Sequence, residues 1–114
     1  MGIFSNDRDL KALGTHTASG ETNWMKIDKA QQLQAFLEVG TVSGTNPTLD
    51  VTIVESPDQA QEYLLHTFTQ ATATTKEKKS GEWPAKYIKV KWTIGGTDTP
   101  TFEFAVKSTI KENL

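Results

Sequence analysis

The chain of 114 residues is the length of one domain, and a fold of that size buries roughly two thirds of the surface its unfolded chain exposes. It contains no cysteine, which excludes disulfides, thiolate zinc sites and cysteine nucleophiles and leaves packing, strand pairing or assembly to hold the fold. A formal charge of −2 and a pI of about 5.6 lack the basic footprint of phosphate recognition, so nucleic acid is not an expected partner.

At the start of the chain the apolar pair Ile3-Phe4 is followed by Asp7, Arg8 and Asp9, which is neither the n-region nor the h-region of a secretory signal. Gly2 lacks a myristoylation context, because Asn6 stands where Ser or Thr is required. No stretch approaches the length of a transmembrane helix, and no membrane association is expected. Residues 1–9 read as an N-terminal arm and residues 10–114 as a single β-sandwich domain. Ile3 and Phe4 lie outside any alternating pattern, so they either dock on a partner or cap one end of the sandwich.

Leu10 to Ala18 and Trp24 to Ile27 read as two strands separated by the turn Ser19-Gly20-Glu21-Thr22. Lys29 to Leu37 has helical spacing at Ala30, Leu33, Phe36 and Leu37, yet strand is favoured from Leu33 onward because the alternation runs on through Ala35, Leu37 and Val39. After the segment GTVSGTNPT the same period of two resumes at Leu49, Val51 and Ile53, and the two runs read as a hairpin. Ser56 to Gln61 is a turn or single helical turn with Pro57 at its first position.

Glu62 to Gln70 reads as a strand with apolar residues on both faces, which fits either a central position or a contact surface. Gln70 to Pro84 has no apolar period and reads as a long surface loop containing Lys76, Lys78 and Lys79. Lys86 to Ile94 alternates most clearly, with Ile88, Val90, Trp92 and Ile94 on one face and Lys89 and Lys91 on the other. Thr101 to Lys107 repeats the pattern through Phe102, Phe104 and Val106, and with the Gly95 to Pro100 loop it reads as a second hairpin. The segments TVSGTNPTLDVTIVES and TIGGTDTPTFEFAVKS agree in the turn and in the strand that follows. They reflect either a duplicated design or the same turn chemistry used twice.

Threonine, at seventeen residues, joins the valines, isoleucines and aromatics in a sheet-forming composition. The expectation is an all-β, two-sheet sandwich or jelly-roll-like fold of seven to eight short antiparallel strands.

The raw material for catalysis is thin. His66, beside Leu64 and Phe68, reads as a partly buried structural histidine, and His16 as an exposed or edge residue. Neither stands at a metal-ligand spacing with another His, Asp or Glu, and Asp50, Glu55 and Asp58 lack the pattern of a calcium loop. SGT and GGT are each followed by a strand rather than a helix N-terminus, so they do not cradle phosphate. No catalytic residue, metal or cofactor is expected, and the chain is not expected to be an enzyme. Trp92 alternates in phase with the core. Trp83, next to Pro84 in a polar stretch, is expected to be exposed and to suit a protein contact or a sugar platform.

At GTVSGTNPTLDVTIVES, HTFTQATAT and KYIKVKWTIGGTDTPTFEFAV the chain resembles small virion proteins of tailed bacteriophages, in particular the β-sandwich proteins that decorate or cement the head. The resemblance covers about Val39 to Val106. It implies a structural virion protein on the capsid exterior, made in the host bacterial cytoplasm, that binds the major capsid protein as a homo-oligomer, dimer or trimer, and stabilises the shell. Ile3, Phe4 and Trp83 are the partner-binding candidates. The alternatives are a neck, tail or baseplate component and, in another class, a carbohydrate-binding module.

Overall fold

The computed structural model describes the backbone of residues 3–27, 30–81 and 83–113, and within those ranges the side chains of residues 7–112. The strands are β1 (Ile3–His16), β2 (Gly20–Glu21), β3 (Met25–Lys26), β4 (Ala30–Ser56), β5 (Tyr63–Thr67), β6 (Thr75–Ser80) and β7 (Tyr87–Asn113), and no helix occurs among the described residues. Every pairing is antiparallel.

β4 and β7 pair with each other from Ala30↔Glu112 to Ser56↔Tyr87. A straight strand of 27 residues would span about 90 Å, whereas the longest dimension of the molecule is 53 Å. The paired ribbon therefore folds over at a corner, and its two halves become the centres of two layers. In the first layer β6 pairs with residues 34–39 of β4, and β1 pairs with residues 102–113 of β7. In the second layer β5 pairs with residues 52–55 of β4, while β2 and β3 pair with residues 87–92 of β7. The orders β1-β7-β4-β6 and β2/β3-β7-β4-β5 make a jelly-roll sandwich, although the ladder is continuous through the corner.

The alternation dictates what lies between the layers. Leu33, Ala35, Leu37, Val39, Leu49, Val51 and Ile53 of β4 meet Ile88, Val90, Trp92, Phe102, Phe104, Val106 and Ile110 of β7 in one buried cluster. Trp92 and Phe104, from opposite halves of β7, pack edge to face at 5.6 Å. The expected two-sheet sandwich is the fold observed.

The two expected hairpins are replaced by this corner. TVSGTNPT and GGTDTPT do not pair each strand with its own continuation, as hairpin turns would, but fold two paired strands over together, with Thr45 opposite Thr97. The ladder slips between Val39 and Val42, between Ser43 and Thr45, and between Thr45 and Thr48. Gly44 (φ 106°), Gly96 (φ 119°), Asn46 (φ 49°), Asp98 (φ 57°) and Thr99 (φ 50°) take left-handed conformations that turn the ribbon. Glycine, asparagine and proline serve a bulged bend as well as a hairpin turn, and the core residues keep odd numbers in β4 on both sides of it.

The expected loop from Gln70 to Pro84 contains β6, whose ladder runs from Gln34↔Ser80 to Val39↔Thr75. Its sequence, TKEKKS, carries no apolar period because it closes an edge, where exposed lysines are a common device. The turn after His16 contains the short β2, paired to Trp92 and Lys91. The backbone of Ile3 and Phe4, expected outside any strand, lies in β1 opposite Asn113 and Glu112, and the side chains of both are outside the described residues.

Candidate interaction surface

Among the described residues β5 pairs only with β4, which makes it an edge of the second layer. Thr52, Ile53, Val54 and Glu55 of β4 face Thr67, His66, Leu64 and Tyr63, with a slip between Ile53 and Val54 that places Leu65 in a bulge. Leu65 packs on the core, whereas Leu64 is 63% exposed and Tyr63 56% exposed. Ser56 shapes the approach to the strand. Its buried hydroxyl accepts hydrogen bonds from the Asp58 and Gln59 N–H groups, and Asp58 Oδ1 accepts one from Ala60 N–H at 2.9 Å.

Gly81 and Ala85 are both anchored near this strand. Gly81 N–H donates to Leu33 O at 2.8 Å and the residue lies against His66, while Ala85 N–H donates to Glu55 Oε1 at 2.7 Å. Their anchors thus correspond to the two ends of β5, and Trp83, 79% exposed, rides between them. Two large apolar side chains are therefore exposed on β5 itself, and a third, Trp83, between two residues anchored near that strand. Trp83 was legible from its polar surroundings; Tyr63 and Leu64 were signalled by the two-sided apolar pattern of their strand. Ile3 and Phe4 fall at the other layer's edge strand, β1, and are not brought together with Trp83 by any strand pairing.

The remaining edges carry charges, slips or very short strands, although β1 also exposes Leu13. β6 presents Lys76 and Lys78 outward, β1 carries Asp7, Arg8 and Asp9 and two register slips, and β2 and β3 are two residues each. On the outer face of the first layer an open groove of about 440 Å³ is lined by Asp7, Asp9, Phe36, Glu38, Lys107 and Thr109, among others. Three of its charged side chains have partners: Lys107 sits 3.2 Å from Glu38, and Thr109 donates to Asp7 at 2.9 Å.

Two lysines escaped the sequence reading. Lys89 points away from the core, yet its side chain is only 8% exposed. Glu21 and Glu62 each approach its Nζ at 2.8 Å, and the Trp24 ring covers it at 4.5 Å. Hydrogen bonds to Glu21 and then Glu62 push the Lys89 pKa up, and those to Lys89 and Lys91 hold the Glu62 carboxyl down. Lys11, at the bulged part of β1, is buried over the Phe104 ring at 4.2 Å and donates to the carbonyls of Ala12 and Phe104. Burial lowers its pKa. The neighbouring His16, 4.9 Å from Trp92, is lowered by burial first and by Lys11 second. Local sequence offers no sign of either arrangement, because the covering residues are remote in the chain.

Among the described residues no three His, Asp or Glu side chains gather where a metal could be held. His66 is half-buried, as expected, and its Nε2 is shielded without a hydrogen-bond partner among the described residues.

No protein-family profile matches the sequence, and comparison with curated proteins gives no match. Solved structures share the fold. A structure from the Bacillus endospore appendages, a family of disulfide-linked pili, superposes with a TM-score of 0.58 at 15% identity, covering 98% of this chain and 88% of that one. The SPBc2 prophage-derived protein YomS gives a TM-score of 0.53 at 10% identity, over 98% of this chain and 96% of YomS. The infectious bursal disease virus VP2 subviral particle gives 0.60 at 11% identity, over 97% of this chain, which spans only 33% of that one. At these identities the likeness is one of fold.

Proposed function

We propose that this protein is a structural component of a phage virion that binds the outside of the capsid through the major capsid protein and stabilises the shell. The observation that carries the reading is the fold, which runs nearly end to end through a prophage-derived protein and recurs within a viral capsid protein. The resemblance of residues 39–106 to decoration proteins points the same way. Exposed apolar side chains at Tyr63, Leu64 and Trp83 give such a protein surface to bury on assembly into a larger structure. In this reading the chain catalyses nothing and its histidines serve packing. Unlike the disulfide-linked pili that share its fold, it has no cysteine, so disulfides do not join its copies.

The test is add-back. Phage particles assembled without this chain are mixed with the purified protein, sedimented, and heated while genome release is followed. Saturable binding to intact heads with a higher release temperature supports the reading. Failure to bind heads, or binding to isolated tails alone, overturns it in favour of another role or a neck, tail or baseplate position.

A further inference from the structure

β5 differs from every other strand in its charge. Tyr63-Leu64-Leu65-His66-Thr67 contains no Lys, Arg, Asp or Glu, whereas β1, β2, β3, β4, β6 and β7 each contain at least one. Burial, and then the charge of Lys79, lower the pKa of its histidine, which favours the neutral imidazole. An unpaired strand that is exposed, apolar and uncharged is the kind of edge that soluble proteins normally protect.

We propose that this edge is covered by a second copy of the same chain: β5 pairs antiparallel with β5 across a two-fold axis, joining the two second layers into one continuous sheet. Trp83, Tyr63 and Leu64 of each copy pack into the junction. The choice of occupant follows from charge. Antiparallel self-pairing sets each β5 residue against another β5 residue, and with no charged side chain in the strand no like charges are brought face to face. The other edges are poor partners, because they would bring the lysines of β6 or the Asp-Arg-Asp run and register slips of β1 against an apolar surface. The exposed area is of the right order. Full burial of Trp or Tyr removes about 150 to 250 Å² each, and with Trp83 79% and Tyr63 56% exposed two copies contribute about 400 to 700 Å². Leu64 and the strand backbone supply the remainder of the roughly 1,000 Å² that a specific interface requires. The pairing stands whether or not the protein is a virion component.

The test uses the complete chain and its natural lack of cysteine. Sedimentation equilibrium is expected to show a reversible dimer, and Leu64→Lys is expected to weaken it at least about tenfold, the effect of losing one interface anchor. Far-UV circular dichroism should be unchanged, since Leu64 is exposed. Independently, single cysteines are placed in turn at Tyr63, Leu64 and Leu65, with Lys78→Cys in β6 as control, and oxidised in dilute solution. A disulfide-linked dimer at one or more β5 positions, absent from the control, supports the two-fold pairing. A wild-type chain that remains monomeric at about 100 µM, a dimer unaffected by Leu64→Lys, or cross-linking that favours the β6 control overturns it.

Discussion

His66 and Gly81 occupy adjoining space so closely that a Cβ at residue 81 would stand 2.2 Å from His66 Nε2 and 2.4 Å from its Cε1. The absence of a side chain lets Gly81 lie against His66 of β5 while its N–H reaches Leu33 O. Trp83 owes its position to this contact at one end and to Glu55 at the other.

Gly81→Ala is expected to destabilise the fold by about 1 to 3 kcal/mol, because the new methyl group must displace the imidazole from a packed site. His66→Ala removes the clashing atoms, so the double variant should cost less than the two single changes added together. Denaturant unfolding of the four proteins measures the coupling; strict additivity would show that the contact is not limiting.

Stability is expected to fall on mild acidification. Burial, and then the charge of Lys79, hold the His66 pKa below its ordinary 6.5, with Glu55 acting in the opposite sense. The unfolded chain therefore takes up a proton at higher pH than the folded one. Stability declines as pH drops from about 6.5 to the lower folded pKa and is level below it, as far as this group is concerned. His66→Gln should flatten the decline in urea midpoint, and adding His16→Gln should flatten it further, since His16 is lowered too. An unchanged slope in both variants would contradict the assignment.

At the corner, Thr99 holds a φ of 50°, a conformation in which a β-branched residue is strained. Thr99→Gly is expected to raise stability by up to about 1 kcal/mol, the reverse of the usual effect of glycine in a strand. Thermal unfolding provides the measurement, and a loss of stability typical of strand glycine would refute the strained corner.

Lys89 is covered by Trp24 and needs both of its carboxylate partners. The Glu21→Gln/Glu62→Gln double variant leaves an ammonium shielded from water without a counter-charge. Adding Lys89→Met to it should restore stability, even though a third residue has changed. The ranking of melting temperatures decides the point: a triple variant less stable than the double would mean that the ammonium is well solvated.

Alternation at Ile88, Val90 and Trp92, and again at Phe102, Phe104 and Val106, announces two buried runs, and the paired layers follow from them. Whether Gly44 and Gly96 mark hairpins or bends is not legible locally. Both solutions use the same residues, and the choice between them is made by Thr45 meeting Thr97 across the ladder. β6 was hidden because a lysine-rich edge strand owes its conformation to the ladder with residues 34–39 rather than to apolar side chains. The exposed Trp83 could be read from its neighbours. The anchoring of its neighbours near β5 could not, since it depends on Gly81 contacting His66 and on Ala85 bonding to Glu55.

The most direct measurement of the central claim is quantitative mass spectrometry of purified phage particles from the source culture, taken as the ratio of this chain to the major shell protein. A shell-bound protein gives a ratio near one or a simple fraction of it. A handful of copies per particle would move it to the neck or tail, and absence from the particles would contradict a virion role altogether.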